Sequence, residues 1–181
     1  MNRSRMSRYV VLQGLPEPAP HACALQYGAL SFQPRVMAFL VAAAAASRSP
    51  LAWAALAGVL LLGAAAPRLN PFDALHAALS RRNPRRVFLP AARAPRRFAQ
   101  AMGATFCLAA AAALLAEREA LAWGVVAAFG LAIVANLGFG FCLGSWVFRS
   151  LFRSWAPPEA RAGRSSSAAV PKVAGIPADR V

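Results

Sequence analysis

The sequence predicts an all-α, integral membrane four-helix bundle with a short amphipathic helix in one loop. Three observations carry that prediction. Residues 120–148 hold no charged side chain over 29 positions, and residues 98–116 hold none over 19. A bilayer core needs about 20 apolar residues per crossing helix. The chain is also 59% apolar with a mean hydropathy of +0.47, yet carries a formal charge of +14; soluble domains average about 45–50% apolar. Finally, the basic residues sort to one side of the four predicted crossings, as cytoplasmic loops do.

The first segment, 1–31, reads as a disordered cytoplasmic arm. Prolines and polar residues interrupt any apolar core that a cleaved signal would need. Residues 35–48 and 51–66 form the first two spans, separated by the charge and helix breaker of Ser47-Arg48-Ser49-Pro50. Both are short and alanine-rich, so they cross only by recruiting flanking residues or thinning the bilayer. In the loop that follows, Phe72, Leu75, Ala78 and Leu79 recur at helical spacing before Arg81-Arg82. That pattern predicts a short interfacial helix facing anionic headgroups. Spans 98–116 and 120–148 come next, with Glu117-Arg118-Glu119 as their turn. The membrane domain is thus 32–155. The remaining 156–181, rich in Pro, Ala, Ser and Gly, reads as a disordered cytoplasmic tail.

With four crossings, 18 of the 20 basic residues share a side, leaving Arg48 and Arg118 opposite. The prediction is a multi-pass inner (plasma) membrane protein with both termini cytoplasmic.

Composition also narrows function. The two firmest spans hold no ionisable carboxylate or base, which argues against a proton relay or ion-coupled transport. The basic loop has little aromatic interleaving and is tethered between spans, so nucleic acid is not an expected partner. There is no Gly-rich phosphate loop, no Ser/His/Asp nucleophile set and no metal-ligand cluster. No catalytic residue, cofactor or metal is therefore assigned. Asp73 and His76 lie three apart, the spacing of a solvated helix face. Cys23, Cys107 and Cys142 are too scattered for a disulfide framework or a zinc site.

What remains is amide, glycine and thiol chemistry. Gln100 and Asn136 are costly in lipid unless bonded to a neighbouring helix, a contact worth about 0.6 kcal/mol on average. On a continuous helix at about 100° per residue, Asn136, Gly140 and Gly144 fall within about 80° of one another. They make a packing face with a Gly-x-x-x-Gly step, and Cys142 and Ser145 lie on another side. Cys142 is the candidate redox thiol.

Arg-Phe-Ala-Gln-Ala-Met-Gly (Arg97 to Gly103) and Gly-Phe-Cys-Leu-Gly-Ser-Trp (Gly140 to Trp146) carry a family resemblance. Together they resemble an uncharacterised bacterial family of four-helix integral membrane proteins, the domain of unknown function numbered 4395, over about Phe32 to Phe152. That family commonly has Cys where this chain has Ser145, and Cys-Pro where it has Asn70-Pro71. Some relatives are associated with rhodanese-like sulfurtransferases, which implies thiol or sulfur chemistry and a sulfurtransferase partner.

Three functions follow. The first, favoured by elimination, is a non-enzymatic scaffold or accessory subunit whose partners are the lipid bilayer and a second copy or another membrane protein. The second is a thiol-based redox or sulfur-handling membrane protein using Cys142, with Ser145 in place of a second sulfur. The third is a small-solute carrier with Gln100 and Asn136 lining the path.

Overall fold

The computed structural model of the chain describes residues 2–81 and 91–152. Among them it is all-helical, with seven α-helices and no strand. The helices are α1 (Arg3–Leu12), α2 (Cys23–Ser47), α3 (Pro50–Ala65), α4 (Pro71–Leu79), α5 (Ala94–Leu115), α6 (Glu119–Phe139) and α7 (Leu143–Leu151). Arg82, Arg85 and Arg86 of the loop and the predicted tail 156–181 lie outside the described residues.

The breaks between the long helices have local causes. α2 ends at Arg48, in the left-handed region at φ 51°, while Ser47 Oγ donates to the Ala44 carbonyl at 2.8 Å. Pro50 then opens α3, where its missing N–H costs nothing. Glu117, at φ 56°, turns the chain between α5 and α6, and Glu119 places a negative charge at the positive end of α6. Across that end of the bundle the Arg48 guanidinium sits 5.7 Å from the centre of the Trp123 ring. The predicted interfacial segment is α4. The Asn70 side chain caps it by accepting from the Phe72 N–H at 3.1 Å; Phe72 is buried, and Leu75 and Leu79 are exposed.

α5 is the central helix, packed against α3, α6 and α7, while α2 lies against α1 and α6. Small residues permit the closest approaches: Ala57 of α3 and Ala104 and Ala110 of α5 are fully buried. A Cβ added at Gly103 would already press on Leu60 at 3.3 Å. Three helices, α2, α5 and α6, are long and apolar enough to cross a membrane, and α3 is a shorter apolar helix. The outer face of α6 carries Leu121, Leu131, Val134 and Phe139 exposed.

Three sequence expectations are corrected. Residues 1–31 are not an unstructured arm throughout: α1 forms and buries Tyr9 and Val10, and α2 already begins at Cys23. α1 is polar on average, so apolar content gives no sign of it; one face nevertheless fits against α2. The helix that holds the third apolar segment begins before Phe98, at Ala94, with Pro95 in its first turn and Arg96 inside it. The fourth span is not one helix. α6 stops where Gly140 adopts φ 65°, and the Phe141 N–H folds back to the Ala135 carbonyl at 3.4 Å. Only glycine enters that backbone region freely. Gly140 and Gly144 therefore do not share a helix face, and the Gly-x-x-x-Gly seam is not formed. Gly140 redirects the chain, and Gly144 alone makes the close contact: a Cβ there would lie 2.6 Å from the Ala99 Cα.

Candidate functional site

The start of α5 meets the end of α6, because the two run antiparallel through a short turn. Pro34, inside α2, removes one backbone donor and lies at the same level. There the helices leave a partly open cavity of about 120 Å³. Its apolar wall includes Met37, Leu60, Phe106, Phe129 and Ile133. Its polar wall is drawn from four helices and two helix caps: Tyr9 of α1 and Gln13 at its C-cap, Gln33 of α2, Arg96 and Gln100 of α5, Asn136 of α6, and Cys142 at the N-cap of α7.

Arg96 organises the polar wall. It is 6% exposed, and one edge of its guanidinium forks onto Asp73 of α4, with Nη1 to Oδ2 at 3.1 Å and Nη2 to Oδ1 at 2.5 Å. Its other edge donates to Gln33 Oε1, from Nε at 3.3 Å and Nη2 at 2.9 Å. Guanidinium carries donors only, which fixes the Gln33 oxygen toward it. Gln100 Nε2 donates to the same oxygen at 3.1 Å. One amide oxygen thus takes three donations, while Gln100 Oε1 is buried with no partner among the described residues. Gly63 provides the room for the Gln100 amide, since a Cβ there would lie 3.0 Å from Nε2.

α1 covers the cavity from outside the long helices. The Tyr9 hydroxyl donates to Asn136 Oδ1 at 3.1 Å, and Tyr9 is 1% exposed. Burial first, and then the neighbouring Cys142, push the phenol's pKa well above its ordinary value, so Tyr9 is neutral at physiological pH. The Arg149 Nη2 donates to the Val11 carbonyl at 2.7 Å, tying α7 to α1. Ser145 Oγ has three acceptors within reach: Cys142 Sγ at 3.3 Å, the Pro95 carbonyl at 3.4 Å and Gln13 Oε1 at 3.5 Å.

The family model for Domain of unknown function (DUF4395) matches residues 29–153, about two thirds of the chain. The chain belongs to that family. The DUF4395 region contributes α5, α6, α7 and most of α2 to the cavity, and Tyr9 and Gln13 lie outside the matched residues. No curated protein and no solved structure gives a significant match.

Of the residues singled out from the DUF4395 sequence, Gln100, Asn136, Cys142 and Gly144 all line this one cavity. Gln100 and Asn136 do not bond each other; their partners are Gln33 and Tyr9. Gly140 acts in the turn rather than in packing. Cys142 and Ser145 are adjacent and buried, and all three cysteines are free thiols. Among the described residues no group of three or more His, Cys, Asp or Glu is placed to hold a metal.

Sequence reasoning misses Gln33, Arg96, Tyr9 and Gln13. Gln33 carries a usable signal, an amide next to a proline just before the first apolar segment. Arg96 reads as one more of the arginines that mark the cytoplasmic side, and nothing local separates it from Arg93 or Arg97. Asp73, expected on a solvated helix face, is instead the carboxylate that meets Arg96.

Proposed function

We propose that this chain is a multi-pass inner-membrane protein whose helical bundle binds a small solute in the cavity between α2, α5 and α6. Four crossings, by α2, α3, α5 and α6, put both termini on the cytoplasmic side. The placement of 18 of 20 basic residues supports that topology. α3 has 16 residues, about 24 Å of helix at 1.5 Å per residue. It crosses a core of about 30 Å by local thinning or by its flanks. The cavity then sits toward the cytoplasmic end, where the arginine-rich loop returns the chain to α5.

The observation that carries the reading is the convergence of buried polar side chains from α1, α2 and α5, with the half-buried Asn136 of α6, on one partly open cavity. Burying amides and a guanidinium in a membrane bundle is costly, and a purely structural bundle has no use for a void beside them. A scaffold would instead need a distinctive outer surface, whereas the outer face of α6 is uniformly apolar. The thiol reading needs a second sulfur near Cys142, and the partner found there is Ser145.

Filling the cavity tests the proposal. Ala132 lines it, so Ala132→Phe places a ring in the space. Small molecules extracted from the full chain, purified from its own membranes into nanodiscs, should include a compound retained near stoichiometrically and lost in the Phe variant. Identical small-molecule content in the two preparations would sink the proposal.

A further inference from the structure

The polar wall of the cavity is lopsided in its hydrogen-bonding capacity. The amide oxygens of Gln33 and Asn136 are already engaged, by Arg96 with Gln100 and by Tyr9, and the Gln13 oxygen lies 3.5 Å from Ser145 Oγ, whose single proton also has Cys142 Sγ and the Pro95 carbonyl within reach. Their amide N–H₂ groups donate to no described group, although each amide carries two donors. Gln13 is 6% exposed and Gln33 is 9% exposed, while Asn136 is half-buried, and their amide nitrogens open onto the cavity rather than being sealed in the packing. For Gln33 the assignment is forced, because the donor-only Arg96 must face its oxygen. Gln100 Oε1, the amide oxygen with no partner among the described residues, is enclosed against Gly63.

Charge and size narrow the occupant further. Arg96 is the cation in the wall, and Asp73 already takes its charge through a two-pronged pair. Tyr9 is neutral. An anion entering would find no uncompensated positive charge, and a cation no uncompensated negative one. The volume of about 120 Å³ is slightly below the roughly 150 Å³ of an apolar cavity that holds benzene. That corresponds to about six heavy atoms.

We propose that the cavity binds a small uncharged molecule whose polar end is a hydrogen-bond acceptor of the carbonyl type, received by the amide N–H₂ groups of Gln13, Gln33 and Asn136 with its apolar body against Phe106, Phe129 and Ile133. This rests on the solute-binding reading above and names the class of solute. The carbonyl end lies toward α1 and α2, and the apolar end toward the middle of the bundle.

Three probes of similar size, differing in their polar end, test it: cyclopentanone, cyclopentylammonium and cyclobutanecarboxylate. Saturation-transfer NMR on the full chain in deuterated-lipid nanodiscs, with empty nanodiscs as reference, reads binding to the protein. Cyclopentanone should bind saturably and at least about tenfold more tightly than either charged probe, since its carbonyl accepts the amide donors while neither charged end finds a counter-charge in the wall. Gln13→Met should weaken it by about five- to tenfold. Gln33→Met should weaken it more, and the native-chain comparison of probes stands even if that variant does not fold. Tighter binding of the carboxylate or the ammonium overturns the class of solute; so does a retained compound, lost in Ala132→Phe, that carries no neutral acceptor. Absence of binding by all three probes, together with unchanged small-molecule content in Ala132→Phe, leaves a water-filled space and overturns both readings.

Discussion

The two halves of α5 are built on opposite rules. Its second half, with Ala104, Cys107, Ala110 and Ala111, is closed by alanine-sized contacts against α3 and leaves no polar group exposed to the interior. Its first half, with Arg96, Ala99, Gln100 and Gly103, faces amides, a carboxylate and a cavity. The same helix is therefore a packing rod at one end and a polar frame at the other. Small residues serve both ends. Against alanines they bring backbones together, whereas around an anchored Arg96 and Gln33 they leave space that no side chain fills.

The sharpest way to break the contrast is to remove the anchor. Arg96→Met leaves the Asp73 carboxylate and the Gln33 oxygen without their shared donor; Asp73 is 23% exposed, so the loss should be about 2–3 kcal/mol, below the about 3–5 kcal/mol of a fully buried pair. Unfolding of the purified chain in detergent should show a loss of that order. The polar half should also lose protease protection before the α3–α5 seam does. A loss below about 1 kcal/mol would mean that Arg96 is not the organiser of this end.

The close approach of α7 comes next. A Cβ at Gly144 would lie 2.6 Å from the Ala99 Cα and 2.7 Å from its Cβ. Backbone cannot yield as a flexible side-chain tip does, so Gly144→Val should cost about 3 kcal/mol, the upper end of overpacking penalties. Gly124, in the same fourth apolar stretch, has open space around it. Gly124→Val should stay within about 1 kcal/mol. Equal losses at the two glycines would remove the distinction between a packed and an outward-facing position.

Much of this arrangement is legible in the sequence. The apolar blocks, the Ser47 to Pro50 break, the Glu117 to Glu119 turn and the periodicity of α4 each rest on local chemistry. The break after Phe139 is not, because hydropathy does not distinguish an α-helix from a glycine at φ 65° followed by a new helix. The alternation Gly138-Phe139-Gly140-Phe141 is the available sign, since two closely spaced glycines weaken a helix. Of the cavity, Gln100, Asn136 and Cys142 stand out as polar or reactive groups in apolar runs. Arg96 and Asp73 do not, because their pairing joins α4 to α5 across a loop. No spacing rule connects residues that only a tertiary contact brings together.

The cysteines sharpen the same comparison on a smaller scale. Cys107 is fully buried in the apolar half, and Cys142 touches Ser145 in the polar half. A hydroxyl at Cys107 would meet hydrocarbon, so Cys107→Ser should destabilise by about 1–2 kcal/mol. Cys142→Ser keeps a polar partner and should fall within about 0.5 kcal/mol. Paired thermal unfolding curves decide this, and a reversed order would mean that the two halves do not differ in polarity as described.

The smallest effect concerns the cover. Tyr9→Phe deletes one hydrogen bond to Asn136 and should cost about 1 kcal/mol at neutral pH. Its pH dependence is more diagnostic. In the folded chain, burial raises the phenol's pKa above its unfolded value near ~10. The neutral, docked form therefore contributes fully below that pH. Its contribution falls as pH rises further, by up to about 1.4 kcal/mol per unit until the folded pKa is reached. Melting temperatures of the native chain should consequently drop more steeply between about pH 9 and 11 than those of Tyr9→Phe, which has no phenol to ionise at that position. Tyr27 is present in both chains, so its own ionisation cancels in the difference. Parallel curves would show that Tyr9 is not enclosed, and α1 would then be a loosely attached segment rather than the wall that completes the cavity.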